Sequence, residues 1–313
     1  ESKAGGLNAY QAKRRLIHHQ LQGSGLYQAL TYSLTSDELS QKYALETAPT
    51  TRLLMPMSEE RSTLRQSILP HLIESVTYNV SRQQDSVALY EIGSVFLGET
   101  EEGLPREESH LAAVMTGNWL NNAWQGEHKK VDFFVLKGIL ESLFAKLDLT
   151  TRITYETAVV DGLHPGRTAN ILLDGKRIGF LGQLHPAEQK ANGLKETYVM
   201  ELNLEEIITA SIEPLVYVPV PRFPSISRDI ALIVDRTTKA ADLEATIRNA
   251  GGKLLKEVNV FDLYEGEKME LGKKSVAFTL TYFTPERTLT DEEVVAAHDK
   301  VVAALTESGA ELR

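Results

Sequence analysis

The stretch LLMPMSEERSTLRQSILPHLIESVTYNVSRQQDSVALYEIGSVF, from Leu53 to Phe96, carries start and stop signals for each element that it predicts. The three apolar residues from Leu53 to Met55 predict a short buried strand that ends at Pro56. The polar residues 58–61 then predict a turn. A strand and a turn are therefore expected before the main helix of this stretch.

A helix and a second strand follow the turn. Pro70 suits the first turn of a helix, where the missing N–H leaves no hydrogen bond unmade. The residues that form the apolar face of this helix at helical spacing are Leu72, Ile73, Val76 and Val80. From Val87 to Ser94 apolar residues occupy both sets of alternate positions, which predicts a strand buried largely on both sides. The helix is expected to pack on the sheet that contains this strand.

Glu91 interrupts the apolar strand. A buried carboxylate is costly unless it is paired, so Glu91 either meets an arginine or a hydroxyl within the fold or lines a polar cleft. We expect the pairing.

Length and composition indicate a globular protein. The 313 residues are enough for two domains with separate cores. The formal net charge of −10 argues against nucleic-acid binding through bulk electrostatics, and no apolar run approaches membrane-spanning length. The sequence contains no cysteine and no signal-peptide pattern, so we expect a cytoplasmic protein without disulfides and without a membrane partner. Because it starts at Glu1, we also expect a fragment of a longer chain.

Asn8 can cap a first helix that Gly23 and Gly25 end. The residues expected to face inward are Tyr10, Leu16, Ile17 and Leu21. The same helix carries the cationic residues Lys13, Arg14, Arg15, His18 and His19, which could form a nucleic-acid or metal-binding cluster. We interpret them as a solvated face, because adjacent histidines point to different helix faces and no carboxylate stands at ligand spacing.

The pattern up to residue 204 predicts an antiparallel-rich sheet with helices on one face. Its further elements are a strand at Gln28–Leu34, a short helix that opens at Ser36, a surface loop at Glu99–Glu108, a strand at His110–Thr116, a helix at Asp132–Leu147, a helix that starts at Pro186 and a strand at Thr197–Leu204. Asp174-Gly175 is a strong signal for a hairpin turn. Trp119 and Trp124 either form an exposed stacking surface or anchor a loop, and we favour the anchors.

His164 and Arg167 lie beside a Pro-Gly turn and suggest a general base with an anion clamp. No nucleophile or second acid accompanies them in the sequence. We therefore expect a structural turn in which Arg167 pairs with a carboxylate such as Glu91 or Glu201.

Four prolines between Glu213 and Ser225 replace any periodic pattern and predict a domain boundary. We expect one domain at 1–213, a Pro-rich linker at 214–224 and a second domain at 225–313. The order of elements in the second domain is β-α-β-β-α-β, which predicts a ferredoxin-like sandwich with both helices on one face of an antiparallel sheet. The fold class is thus α+β.

Both parts of the chain resemble the bacterial phenylalanyl-tRNA synthetase β-subunit family. The first part does so through MSEERSTLRQSILPHLIESVTYNVSRQ, ALYEIGSVF, HPGRTA and the GxLHP pattern, and it is similar to the catalytic core of class II synthetases. The second part resembles the ferredoxin-fold anticodon-binding domain through PSISRDIALIVD, FDLYEG and GKKSVAFTLTYFTPERTLTDEEV. The resemblance spans nearly the whole chain.

The resemblance implies a synthetase-like module that performs no catalysis. In catalytic relatives an arginine two residues before the glutamate of this strand holds the ATP α-phosphate, and Leu89 stands at that position here. The third class II signature, a Gly-rich strand leading to an arginine, has no counterpart in GFLGQLH at 179–185. Leucine cannot replace the bidentate charged hydrogen bonds of arginine at a triphosphate.

The resemblance also implies partners. The full enzyme would join phenylalanine to tRNA(Phe) with ATP and magnesium, as a heterotetramer of two α and two β chains. The first helix and the strand after it would contact the α subunit through Tyr10, Arg14, Leu21 and Tyr32, unless the chain itself covers that helix. Because the second domain is net acidic and lacks paired strand aromatics, contacts with tRNA are expected from local residues: Arg222, Arg228, Tyr264, Lys273, Lys274 and Arg287.

Two other functions stay open at this point. Ferredoxin-like domains also bind small effectors, so an amino-acid-sensing regulator is the first alternative. A Gly-rich loop between the first strand and the first helix of the second domain would favour this alternative. The chain reads DRTTKAADL there instead. An autonomous enzyme built on His164 and Arg167 is the second, and the missing nucleophile speaks against it.

Overall fold

A computed structural model describes residues 5–212, 216–217, 220, 222–266 and 269–313. The chain divides into two compact units, residues 1–214 and 215–313. Three of the four prolines of the predicted linker, at 214, 219 and 221, lie outside the described residues. The linker therefore stays a prediction.

The first unit contains five helices and eleven strands in its described residues. The helices are α1 (Ala9–Gly23), α2 (Leu69–Val80), α3 (Phe133–Lys146), α4 (Pro186–Ala191) and α5 (Leu204–Ile208). The strands are β1 (Tyr27–Gln28), β2 (Leu34–Thr35), β3 (Thr63–Leu64), β4 (Val87–Glu99), β5 (Pro105–Thr116), β6 (Asn118–Asn122), β7 (Glu127–Lys130), β8 (Ile153–Thr157), β9 (Leu163–Leu173), β10 (Lys176–Leu184) and β11 (Thr197–Asn203).

Seven of these strands form one sheet in the order β1-β4-β5-β11-β10-β9-β8. The pair β1–β4 is parallel and the others are antiparallel. One face packs on α1 and α3 through Ile17, Leu140 and Phe144, and the other packs on α2 through Leu69 and Leu72. The prediction that helices lie on one face of the sheet was therefore wrong. The central strands carry apolar side chains on both faces, so both faces must pack against helices.

Local signals placed the ends of several elements correctly. The Asn8 side chain accepts a hydrogen bond from the Gln11 N–H in a full capping box, and Asp132 caps α3 through the Val135 N–H. Pro70 lies in the first turn of α2. Asp174 and Gly175 adopt φ of 52° and 79°, as a tight hairpin turn between β9 and β10 requires.

The predicted buried strand at Leu53–Met55 was wrong. Leu54 and Met55 are 101% and 90% exposed, and the backbone bends there instead of joining a sheet. The chain leaves the fold after Arg52 and returns at Thr63, and these two residues form an isolated bridge. An apolar run alone does not say whether it faces a core.

Three other boundaries differ from the predictions. The segment predicted as one strand at 28–34 contributes only Gln28 to β1 and Leu34 to β2. The residues after Ser36 form turns, with the Ser36 hydroxyl accepting a hydrogen bond from the Leu39 N–H at 3.3 Å. Half of the predicted loop at 99–108 is strand, because β4 and β5 continue as a hairpin that turns at 100–104.

The two tryptophans differ in environment. The Trp119 indole N–H donates to the Ser24 carbonyl at 2.8 Å and the ring packs against the core. Trp124 is 95% exposed. The anchor interpretation thus holds for Trp119 alone.

The second unit has the predicted β-α-β-β-α-β order. Its elements are β12 (Ile226–Asp235), α6 (Ala240–Gly251), β13 (Leu255–Tyr264), β14 (Lys273–Tyr282), α7 (Asp291–Glu307) and β15 (Glu311–Leu312), and the sheet order is β13-β14-β12-β15. Both helices pack on one face, through residues such as Ile247 and Val301 against Phe278 and Leu280. His298 is half-buried and faces the Tyr282 hydroxyl at 3.2 Å. The ferredoxin-like fold is confirmed.

None of the helices formed by the described residues combines the length and the apolar character that a membrane crossing requires.

Candidate functional site

The strand register of the second unit brings three of the six predicted tRNA-binding residues to one end of the sheet. Tyr264 at the end of β13 lies opposite Ser275 on β14, directly after Lys273 and Lys274. Strand alternation separates the two lysines. Lys273 shares the open face of the sheet with Ser275, whereas Lys274 points to the same side as the buried Val276.

The other three predicted residues do not join this group. Arg228 lies opposite Leu280, near the far end of β12, and pairs with Asp291 at 3.5 Å. Arg287 pairs with Glu293 through its Nη1 at 2.7 Å, next to the N-terminus of α7. Arg222 is exposed and precedes β12. The predicted residues therefore do not form one patch: Tyr264 and the two lysines lie at one end of the sheet, and Arg228 and Arg287 lie near the start of α7.

Arg313 is a residue of the first group that sequence reasoning missed. Its backbone N–H donates to the Ala231 carbonyl at 3.0 Å, which extends β15 along β12. Its guanidinium carbon lies 5.8 Å from the centre of the Tyr264 ring, within the range of a cation–π contact. Because 49 residues separate the two in sequence, no local signal could have joined them.

The open face of the sheet next to Tyr264 carries small residues. Ser275 and Ala277 are 4% and 7% exposed although they lie on the open face of the sheet. The phenol of Tyr264 fits against Gly266, where a Cβ would meet the hydroxyl oxygen at 2.2 Å. The arrangement places an aromatic ring beside a cation at the end of the sheet, which suits the stacking of a nucleobase.

Acidic residues lie around Tyr264 and Arg313. Lys273 pairs with Asp235 at 3.0 Å, and that hydrogen bond raises the pKa of the lysine. Asp229 lies on the same open face and accepts a hydrogen bond from Thr279 at 2.7 Å. Arg313 makes no ion pair among the residues that the structure describes. Its charge is therefore the one on this face best placed to meet a phosphate.

The predicted subunit-interface residues of the first unit differ in exposure. Leu21 is fully buried in the core beside Ile17, so its assignment to an interface was wrong: the inner side of α1 is covered by its own chain. Tyr10 is half-buried and donates to Glu205 at 2.9 Å, and Arg14 is also half-buried. Tyr32 is 71% exposed and lies under the Arg61 guanidinium at 5.1 Å. Tyr32 alone of the four is freely accessible.

The cationic residues of α1 are partly structural. Lys13 donates to the Ile208 carbonyl at 2.6 Å, and His18 faces the Tyr90 hydroxyl at 2.9 Å. Burial lowers the pKa of His18. The described residues contain no group of three or more histidine, cysteine, aspartate or glutamate side chains arranged to bind a metal ion.

A cavity of about 370 Å³ opens beside Tyr32. Segment 30–32, Arg61 and the outer side of α2 form its wall, with Leu30, Thr31, Tyr32, Arg61, His71, Glu74, Ser75, Tyr78 and Asn79 as lining residues. Leu30 and Tyr78 are 82% and 58% exposed at its mouth. The cavity thus combines aromatic and apolar rims with charged groups.

Two buried ionic groups lie between the sheet and the segment that precedes α2. Arg65 donates to Glu91 at 2.8 Å, and the Thr31 hydroxyl donates to the same carboxylate at 2.7 Å. The expected pairing of Glu91 with an arginine or a hydroxyl is confirmed. Arg65 enters over Gly93, where a Cβ would lie 2.4 Å from the guanidinium.

The second buried group centres on Glu201 and His110. Glu201 accepts hydrogen bonds from the Ser67 hydroxyl at 2.6 Å and the Ile68 N–H at 3.1 Å, and it lies 2.7 Å from His110 Nδ1. Burial by itself lowers the pKa of His110, but the carboxylates of Glu108 and Glu201 outweigh it and raise that pKa to about 9. His110 is therefore an imidazolium at neutral pH.

Arg167 pairs with a carboxylate as expected, but neither of the two named carboxylates is its partner. Its guanidinium donates to Gln183 at 2.8 Å and approaches Glu196 at 3.4 Å, while Glu91 and Glu201 bind other groups. His164 accepts a hydrogen bond from the Gly166 N–H at 3.1 Å. Both residues lie in β9, in the irregular stretch between Leu163 and Thr168, so the predicted turn was wrong, although their contacts are structural as expected.

Comparisons with known proteins agree with this architecture. The profile of the phenylalanyl tRNA synthetase beta chain CLM domain matches residues 1–204, and that of the ferredoxin-fold anticodon binding domain matches residues 221–313. The phenylalanine–tRNA ligase beta subunit of Geobacillus kaustophilus is 55% identical over 100% of this chain and 39% of its own length. That of Bacillus subtilis is 55% identical over 97% of this chain and 38% of its own length.

Among solved structures, a pyrrolysyl tRNA synthetase of Desulfitobacterium hafniense is similar with a TM-score of 0.46 and 13% identity, over 63% of this chain and 64% of that chain. This likeness is too low to support a conclusion. The chain spans about two fifths of the length of the curated relatives that it matches. Because the first profile alone covers well over half of its residues, the chain belongs to the phenylalanyl-tRNA synthetase beta chain family.

Proposed function

We propose that this chain binds the anticodon region of tRNA(Phe) and serves as a scaffold within a phenylalanine–tRNA ligase. The order of the two family profiles along the chain is the observation that carries this proposal. The complete enzyme joins phenylalanine to tRNA(Phe) with ATP and magnesium, in the cytoplasm. In that enzyme 1–213 is the synthetase-like module, 214–224 the linker and 225–313 the anticodon-binding domain.

The tRNA contact that we propose is local. Tyr264 stacks on a base, Arg313 meets a phosphate or the same base, and Lys273 adds a second cation on the open face. The acidic groups nearby reduce non-specific attraction, so affinity depends on these few contacts. The cations at the other end of the sheet are already paired and contribute less.

The partner of this chain in the proposed assembly is the alpha chain, in a heterotetramer of two alpha and two beta chains. The exposed wall around Tyr32 and its cavity supports a contact there, since α1 already packs on its own core. Burial of Leu21 removes the inner side of that helix from consideration.

The first unit, in this proposal, catalyses no step of the reaction. Leu89, at the position of the ATP-binding arginine, packs in the apolar cluster under α2, and Arg65 on the same face is engaged by Glu91. Those residues offer no free cation to a triphosphate and no set of carboxylates to magnesium, so ATP and magnesium do not fit here. The chemistry is therefore assigned to the alpha chain.

Binding of tRNA(Phe) to the assembled enzyme tests the proposal. Replacing Tyr264 by Ala should weaken binding by about 5-fold to 150-fold, corresponding to roughly 1–3 kcal/mol for one stacked base. Lys273→Glu and Arg313→Ala should also weaken it and should flatten its dependence on salt. Each variant should raise KM for tRNA and leave amino-acid activation unchanged.

Arg287→Ala, at the opposite end of the same sheet, is the matched control and should bind tRNA normally. Equal binding and equal salt dependence for Tyr264→Ala, Arg313→Ala and the parent enzyme would show that this face is not the anticodon site. Phenylalanine-dependent pyrophosphate exchange by the chain alone would contradict its assignment as catalytically silent.

A further inference from the structure

One loop of the first unit exposes almost all of its apolar surface. In this apolar loop, Leu53–Met57, the side chains of Leu54, Met55 and Met57 are 101%, 90% and 101% exposed, and Leu53 is 36% exposed. Single exposed apolar residues are ordinary, but four within five positions form a patch. Such a patch gains free energy when a partner removes it from water.

The neck of the apolar loop, residues 51–53 and 59–64, is held by hydrogen bonds and an ion pair, although the side chains of the loop itself are exposed. The Leu53 N–H donates to the Ser62 carbonyl at 2.8 Å, and the Leu64 N–H donates to the Thr51 carbonyl at 2.9 Å. Arg52 pairs with Glu59 across the neck at 2.7 Å. Because the conformation is held before any partner arrives, less entropy is lost on binding.

The neck of the apolar loop adjoins the wall of the 370 Å³ cavity, because Leu53 is hydrogen-bonded to the residue after Arg61. Arg61 directly precedes the neck residue Ser62 and lines the cavity together with Leu30, Tyr32 and Tyr78. With the four side chains of the loop, this gives seven exposed apolar or aromatic side chains. At roughly 100–150 Å² each they amount to about 800 Å², which is what one partner contributes to a stable protein interface.

The charges around this surface indicate the class of partner. Arg52 and Arg61 alternate with Glu59, Glu60 and Glu74, so the rim carries both signs. A nucleic acid or an anionic membrane would select an excess of cations. An apolar centre with a mixed polar rim is the composition of a protein–protein interface.

We propose that the apolar loop inserts into the alpha chain of the assembly and that the adjoining cavity receives a side chain from it. This inference rests on the proposed function, because it takes the alpha chain as the partner. It places the contact on segments 30–32 and 53–57 and not on the inner side of α1.

The test is the affinity of this chain for the alpha chain, measured by titration calorimetry and by light scattering of the mixture. The double variant Leu54→Ser with Met57→Ser should bind at least about 30-fold more weakly, as expected for the centre of an interface. Its folding should be normal, since both side chains are already in water. Leu104→Ser with Val159→Ser, two residues exposed by 60% and 82% elsewhere in the same unit, is the matched control and should bind like the parent chain.

The outcomes separate the two proposals. If the parent chain itself does not bind the alpha chain, the proposed function is wrong about the partner of this chain. If the parent chain binds and the loop variant binds within about twofold of it, the inference about the loop is overturned while the proposed function stands. If the parent chain forms dimers that the loop variant does not, the loop serves a second copy of this chain, which also overturns the inference.

Discussion

Two Arg–Glu ion pairs, one in each unit, lie in opposite environments. In the first unit Arg65 and Glu91 form an ion pair whose side chains are 3% and 2% exposed. In the second unit Arg287 and Glu293 form a pair whose side chains are 55% and 33% exposed, and Arg287 holds the pKa of Glu293 at about 2. The same pair of charges is thus a buried connection in one unit and a solvated contact in the other.

This difference tells which charged residues are available for binding. A buried pair must be kept intact, because loss of either partner leaves an uncompensated charge without water. A solvated pair contributes little to folding and can exchange its partner for an external one. The buried Arg65 of the first unit therefore stabilises its fold, whereas an exposed cation such as Arg313 of the second unit can serve recognition.

The largest effect is expected from breaking the buried pair. Arg65→Met should lower the free energy of unfolding of the first unit by about 3–5 kcal/mol, because Glu91 keeps its burial and loses its cation. Urea unfolding followed by tryptophan fluorescence reports on this unit alone, since both tryptophans of the chain, Trp119 and Trp124, lie within it. Adding Glu91→Leu should restore part of the loss. An unchanged unfolding midpoint for Arg65→Met would remove the contrast between the units.

A second effect should come from His110 as a function of pH. The pKa of His110 is raised above the ordinary 6.5 to about 9. Its contribution to the stability of the fold is therefore complete below pH 6.5 and is lost as pH rises towards 9. The free energy of unfolding of the first unit should fall by about 3 kcal/mol across this window. His110→Gln should be less stable and should lose this slope. The pKa of His18 is lowered, so the pH dependence of stability that His18 causes lies below pH 6.5.

Two glycines of the first unit give a matched pair of smaller effects. Gly93→Ala should cost about 1–3 kcal/mol, because its Cβ would lie 2.4 Å from the Arg65 guanidinium. Gly138→Ala meets nothing within 4 Å and lies inside α3, so it should stabilise the unit by about 1 kcal/mol. Opposite shifts of the urea midpoint are the expected result. Destabilisation by both changes would mean that tight packing around Arg65 is not the cause.

The smallest effect should come from the solvated pair. Arg287→Met should leave amide hydrogen exchange in the body of α7 unchanged, because the capping box of Thr290 and Glu293 keeps its own hydrogen bonds. Faster exchange throughout the helix would show that the exposed pair also holds the fold. The buried and the exposed ion pair would then both stabilise the fold and would differ only in how much they do so.

The sequence predicted what is encoded over a few residues. The Asn8 and Thr290 caps, Pro70, the Asp174-Gly175 turn and the β-α-β-β-α-β order depend on neighbours within one turn or one strand. Such signals act through backbone geometry, and the fold keeps them.

The sequence did not predict what depends on distant partners. Nothing near Leu54 says that the chain leaves the core there, and nothing near Arg167 says that Glu91 is already bound by Arg65. The contact between Tyr264 and Arg313 likewise arises from the order of strands. These errors share one physical reason, because burial and pairing are decided by segments far apart in the chain.

Three consecutive side chains hold the irregular segment before α2 in place, and this has a consequence for the timing of synthesis. Arg65 binds Glu91, Gln66 binds the Ala48 carbonyl, and Ser67 binds Glu201, which follows it by 134 residues. At roughly 5–20 residues per second, a ribosome would need on the order of 10 s after making Ser67 to supply its partner. The wall beside Tyr32 therefore stays incomplete on the nascent chain until β11 has emerged, and a partner that docks on it meets this chain only after that strand is made.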